Sequence, residues 1–136
     1  MSARIEDLEP QTQQMCRAFL DLCAKNGHNL RVTHTLRTMD EQTRLYEQGR
    51  TLPGPVVTNA QAGESPHNFA MAFDVCFDGK TIEQCYPPEK DQRWLEIGIL
   101  GESLGLNWGG PNGKGDKFTF DRPHFERRDW RTAGAA

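Results

Sequence analysis

The sequence predicts an α+β domain: a small, mostly antiparallel sheet with helices packed on one side. Three observations carry this reading. Helix-like and strand-like periods follow one another in the order α, β, α, loop, β, α, β, β. The strand-like runs are short and two-sided, one face apolar and the other polar or small. The chain has 136 residues, which suits a single domain over 1–136. The core is expected over about residues 10–130, and RTAGAA at 131–136 reads as a disordered tail.

Residues 10–25, PQTQQMCRAFLDLCAK, put Cys16, Phe19, Leu20 and Cys23 at helical spacing, and Asn26-Gly27 stops this first helix. Residues 30–37, LRVTHTLR, alternate. Leu30, Val32, His34 and Leu36 face one way, Arg31, Thr33, Thr35 and Arg37 the other, which makes His34 a satisfied core histidine. Thr38 and Glu41 form a capping box for a short second helix ending at Gln48-Gly49. Residues 50–66 hold three prolines and two glycines without a period, and a loop this long in a small domain is usually functional or mobile. A strand then runs to Phe77, and DGK at 78–80 turns the chain. Pro87-Pro88 opens a third helix carrying Trp94, Leu95, Ile97, Leu100 and Leu104, stopped by Gly105. LNWGG gives a short strand and a turn, PNGKGDK a glycine-rich loop, and FTFDRPHFE a last extended segment.

Composition excludes several function classes. The formal net charge is −3 and the pI about 5.8, so there is no broad basic field and nucleic acid is not the main partner. No apolar run approaches the roughly 20 residues of a membrane span. The start, MSARIEDLEP, lacks the apolar core of a signal peptide. Cys16, Cys23, Cys76 and Cys85 show no C-x-x-C spacing and read as reduced, small hydrophobes.

The chemistry concentrates in SPHNFAMAFD, residues 65–74. Alternation puts Phe69, Met71, Phe73, Val75 and Phe77 on a core face and Ala70, Ala72, Asp74 and Cys76 on the other. A single carboxylate among methyl groups is costly unless hydrogen bonds or a cation compensate it. His67, after Pro66, can fold back over that face, and His with Asp suits zinc. Among the other histidines, His28 sits at the polar end of the first helix and reads as solvated. His124, in DRPHFE, is the best further ligand, because Pro123 keeps this segment extended or turned. Two His and one Asp leave a fourth position open for water, as a catalytic zinc site requires. Asp121, three residues before His124, can serve as the base. Arg37 can steady a carboxylate or a developing oxyanion. Each part also has a plainer reading: Asp74 capping backbone, His124 packed on Trp108, Asp121 paired with Arg122.

Ser65, His67, Ala72 and Asp74 resemble the S-x-H-x-x-G-x-A-x-D motif of the LAS-type zinc peptidases of bacterial cell walls. These include VanY-type D-Ala-D-Ala carboxypeptidases and the L-alanyl-D-glutamate endopeptidases that serve as phage endolysins. LGLNWGG and DRPHFE resemble that family's G-W-G-G and D-x-P-H-F segments, and TLRTMDEQ its arginine-bearing segment. The resemblance covers about residues 30–127. It implies the LAS (hedgehog/D-Ala-D-Ala peptidase-like) zinc peptidase fold as a single catalytic domain. It implies Zn2+ on His67, Asp74 and His124, with Asp121 as acid/base. Arg37 would stabilise the polarised carbonyl and bind substrate, and Ser65 would help hold it. Two departures stand out. Ala70 replaces the motif glycine and is expected to narrow the floor of the site. The usual tryptophan after the double glycine is absent, and residues 111–120 read as a mobile flap.

The implied function is a zinc metallopeptidase acting on the peptidoglycan stem peptide, cutting L-Ala-D-Glu as a phage-type endolysin. A D-alanyl-D-alanine carboxypeptidase is the alternative within the family, and a wall-binding module with a structural zinc the alternative outside it. The protein is expected to act as a monomer, made in the host cytoplasm and released to the wall by a holin.

Overall fold

Four strands pair into one sheet in the order β1-β2-β4-β3, with every neighbouring pair antiparallel. They are β1 (Leu30–His34), β2 (Ala72–Phe77), β3 (Leu106–Trp108) and β4 (His124–Arg127). The structure is a computed structural model that describes residues 1–111 and 121–135. The helices are α1 (Pro10–Lys25), α2 (Met39–Glu47), α3 (Ile82–Cys85), α4 (Gln92–Ser103) and α5 (Trp130–Ala135). Residues 112–120, most of the expected flap, lie outside the described residues. Among the described residues no helix is long and apolar enough to cross a membrane.

The expected α+β layout stands, and one face of the sheet makes the core. Phe73, Val75 and Phe77 of β2, Phe125 of β4, and Leu106 and Trp108 of β3 pack on Cys16, Phe19 and Cys23 of α1 and on Trp94 and Ile97 of α4. The Phe19 and Phe125 rings are 4.4 Å apart at their centroids. Gly101 lets α4 approach: a Cβ there would stand 2.5 Å from the Phe125 ring. The sheet face away from this core carries Asp74 on β2 and His124 and Glu126 on β4. All four cysteines are free and buried, as expected. Burial pushes the Cys16 and Cys23 thiols up to about 12, so they remain inert thiols.

Several local expectations change, each for a physical reason. The β1 register shifts between Val32 and His34, a bulge that turns His34 out of the core. His28 is buried, not solvated, because its Nε2 reaches Glu96 on α4 at 2.7 Å. The third long helix begins at Gln92, capped by the Asp91 side chain, and not at Pro87-Pro88. A short α3 precedes it, with a Thr81–Gln84 capping box. The tail from residue 131 is helical, within α5, and Trp130 at its start is buried.

The segment before β2 differs most. Pro66–Phe69 form a 3-10 turn, so strand alternation holds only from Ala72. Ser65 and Asn68 cap this turn reciprocally, and Ala70 closes it at φ 57°, ψ 35°. Ala70 therefore marks a left-handed backbone position, which is why a glycine suits this place in the motif, and the cost of its methyl is backbone strain. Replacing it should relieve that strain, less the extra freedom glycine gains when unfolded. Ala70→Gly is expected to raise stability by about 0.5–1 kcal/mol, read as a higher urea midpoint at unchanged slope. A lower midpoint would show that the methyl contributes packing that outweighs the strain.

Candidate metal centre

Strand register brings the site together. Asp74 on β2 stands opposite His124 on β4 and opposite His34 beyond the β1 bulge. The 3-10 turn folds His67 over the same carboxylate. Asp74 Oδ1 lies 3.3 Å from His67 Nε2 and 3.1 Å from His124 Nδ1. Asp74 Oδ2 lies 3.3 Å from His34 Nδ1. His67 and His124 are edge to face, with centroids 5.2 Å apart.

The far nitrogens of the two rings assign their tautomers. His67 Nδ1 is 2.7 Å from the Thr35 carbonyl, which only accepts, so Nδ1 carries the hydrogen. His124 Nε2 is 2.9 Å from Glu126 Oε1, again an acceptor. In neutral rings, the lone pairs of His67 Nε2 and His124 Nδ1 therefore both point at a carboxylate oxygen. Three acceptors converge, with ligand atoms all within 4.8 Å of one another. Only a proton or a cation relieves this. Tetrahedral zinc with bonds of about 2.0–2.1 Å separates its ligands by roughly 3.3 Å. The observed spacings fit such an ion, and the carbonyl and carboxylate behind the rings are the outer partners zinc histidines use. Among the described residues these three form the one group able to hold a metal.

The electrostatics carry the same signature. Burial alone would push the Asp74 carboxyl up, but the His67 charge and bonds from His124, His34 and His67 hold it well below the usual range. Burial pushes His124 down, yet its bonds to Asp74 and Glu126 outweigh this and lift it to about 10.

Around this cluster lies a cleft of about 500 Å³ lined by His34, Arg37, Ser65, Asp121 and residues 57–60 of the long loop, among others. Arg37 Nη1 donates to Gln42 Oε1 at 2.8 Å, while its buried Nε has no partner among the described residues. Burial lowers the Arg37 pKa, against the opposing charges of Asp74, Glu41 and Asp121. Gln42 is fully buried and also donates to the Ala60 carbonyl at 2.7 Å. Asn68 donates to the Arg37 carbonyl at 3.1 Å.

Asp121 reaches the cleft because the chain crosses close over Gly109, where a Cβ would stand 2.6 Å from the Asp121 carbonyl oxygen. Asp121 is exposed to the cleft, and partial desolvation of its carboxyl there, then the Asp74 charge, raises its pKa. It does not pair with Arg122, whose Nη1 lies 3.7 Å from Glu89. Ser65 Oγ accepts from the His67 N–H at 3.3 Å and so caps the ligand-bearing turn.

The structure thus gathers His67, Asp74, His124, Asp121, Arg37 and Ser65 in one cleft. It adds His34, which the sequence placed in the core, and Glu126, with Gln42 and Asn68 buried behind the cleft wall, none of which the sequence marked as site residues. Glu126 carried a signal: two residues from His124 on a strand, it shares that face. Gln42 and Asn68 carried none.

Because the bonds to Asp74 and Glu126 lift the His124 pKa to about 10, metal and proton compete for its Nδ1 below that pH. Zinc uptake at pH 7 is expected to release about one proton from His124, with affinity falling as the pH drops. Calorimetry in two buffers of different protonation heat counts that proton; a count of zero would contradict the assignment.

The comparisons agree with this geometry. Residues 5–119 match the model of the VanY family, described as D-alanyl-D-alanine carboxypeptidase. The peptidoglycan L-alanyl-D-glutamate endopeptidase CwlK of Bacillus subtilis (strain 168) is 36% identical over 127 residues, covering 88% of this chain and 73% of CwlK. The LD-carboxypeptidase LdcB superposes with a TM-score of 0.67 at 17% identity over 88% of this chain, which spans only 58% of the LdcB chain. The vancomycin-resistance D,D-pentapeptidase VanY, solved in complex with Zn(II), gives a TM-score of 0.58 at 16% identity, covering 88% of this chain and 72% of its own. A cleft of this construction, a match over most of the chain and a relative at this identity place the chain in the VanY family, whose relatives here are peptidoglycan peptidases.

Proposed function

We propose that this protein is a zinc-dependent peptidase of peptidoglycan stem peptides that cuts the L-alanyl-D-glutamate bond. One observation carries the proposal: the acceptor atoms of His67, Asp74 and His124 converge within 4.8 Å in a cleft that also holds the Asp121 carboxyl and an Arg37 Nε with no partner among the described residues. The likeness to CwlK supports the choice of bond.

His67, Asp74 and His124 would hold the zinc, which when bound polarises a carbonyl and makes water more acidic. Asp121 takes the proton of the attacking water and passes it to the leaving amine, as a carboxylate of raised pKa can do. Arg37 Nε donates to the scissile carbonyl oxygen as negative charge develops there. Ser65, on the wall beside His67, holds the substrate. Peptidoglycan is the partner, and the finer form of the reading is a phage-type endolysin, which rests on the resemblance in the motifs. A second reading, a D-alanyl-D-alanine carboxypeptidase, is favoured by the same Arg37 Nε, which also suits a terminal carboxylate.

Asp121→Asn should keep zinc and lose about 10²–10⁴-fold in hydrolysis. Retained hydrolysis would remove Asp121 from the mechanism. The bond itself is read by mass spectrometry of peptidoglycan fragments incubated with the protein, with and without a chelator. Chelator-sensitive release of stem peptides lacking their N-terminal L-Ala supports the endopeptidase. Loss of a terminal D-Ala alone would replace it with the carboxypeptidase. Zinc binding without any cleavage would leave a wall-binding module.

A further inference from the structure

We propose that Glu126 and Trp130 are positioning residues of the metal site, acting together as a clamp on both histidines. This inference rests on the reading that His67, Asp74 and His124 hold zinc.

Glu126 is 7% exposed and Trp130 4% exposed. A buried carboxylate is costly unless its oxygens are bonded, and both of these are. Oε1 accepts from His124 Nε2 at 2.9 Å, and Oε2 accepts from Trp130 Nε1 at 3.0 Å. A carboxylate held through one oxygen can swing about its Cγ–Cδ bond. Held through both, it presents a fixed acceptor to His124. That keeps the hydrogen on Nε2, aims the Nδ1 lone pair at Asp74 and makes the ring a more basic ligand.

Trp130 also reaches the other histidine. Its indole stacks on Phe69, with centroids 6.2 Å apart and planes 27° apart. Phe69 ends the 3-10 turn that carries His67. The start of α5 is itself anchored, since Arg127 pairs with Asp129 at 2.8 Å and with Glu9 at 2.8 Å. One indole therefore ties the His67 turn to the His124 strand, by stacking on one side and by an N–H on the other.

Two variants separate this role from simple packing. Trp130→Phe keeps an aromatic ring against Phe69 and removes the indole N–H together with part of the ring system. Glu126→Gln keeps the size but cannot accept from both partners through one oxygen. Zinc affinity of the purified, untagged protein is measured by competition with a chelator of known strength, and the geometry by the visible spectrum of the Co(II)-loaded form. Glu126→Gln is expected to weaken zinc binding about 10- to 100-fold. Trp130→Phe is expected to weaken it about 2- to 10-fold, with an altered cobalt spectrum, and to lower the metal-free unfolding temperature because Glu126 Oε2 loses its donor. Wild-type affinity within twofold in a folded Trp130→Phe protein, with an unchanged spectrum, overturns the clamp and leaves the metal site standing. If Glu126→Gln does not fold, Trp130→Phe decides alone. A wild-type protein that takes up no zinc overturns both readings.

Discussion

Asp74 is half-buried on a central strand, its side chain 14% exposed, with histidine nitrogens on both of its oxygens. Everything else in the cleft is arranged around the cost of that charge. The sheet enforces the position from behind. Phe73 and Val75 flank Asp74 in sequence and point into the fully buried core under α1 and α4. A slip of β2 by one residue would drive the carboxylate into that core and the phenyl ring into the cleft. Apolar packing on one face therefore fixes the polar geometry on the other. Phe125 does the same for His124 on β4.

The second constraint lies where β1 leaves the sheet. A regular strand would carry its alternation on to Arg37. The bulge after Val32 ends it early. The freed Thr35 carbonyl then meets His67 Nδ1, and the Arg37 N–H meets the His67 carbonyl at 3.0 Å. The same short segment thus orients a candidate ligand and places the candidate oxyanion donor. Gln42 and Asn68 extend this inward. They join α2, the 3-10 turn and the loop at Ala60 and Gly63 through buried amides. The long loop is irregular in backbone but is tied at these points.

The sequence made the outline legible because it rests on short-range physics. Helical spacing of Cys16, Phe19 and Cys23 located α1 to the residue, and the Thr38–Glu41 capping box located α2. His67, Asp74 and His124 were readable because a lone carboxylate among small residues demands compensation. What was missed depends on tertiary contacts. His34 was assigned to the core because alternation cannot register a bulge. His28 was taken as solvated because its partner, Glu96, lies on a helix 68 residues away. The tail at 131–136 read as disordered, yet residues 131–135 continue α5, whose first residue, Trp130, buries against Phe69 and Glu126.

Ala70 shows how tightly these contacts determine the backbone. His67 and Asp74 are seven residues apart, and the chain must turn from a 3-10 turn into a strand between them for the two to meet. A left-handed residue at the end of the turn does this in one step. Glycine would adopt it freely, whereas an alanine persists there only if its surroundings hold it. They do so at both ends. The Ser65–Asn68 capping box fixes the turn, and the Ala70 carbonyl accepts from the Glu9 N–H at 3.1 Å. Glu9 in turn caps α1 and pairs with Arg127 at the end of β4. The strain at Ala70 is thus carried by the junction of α1, β4 and the ligand-bearing turn, which holds His67 over Asp74.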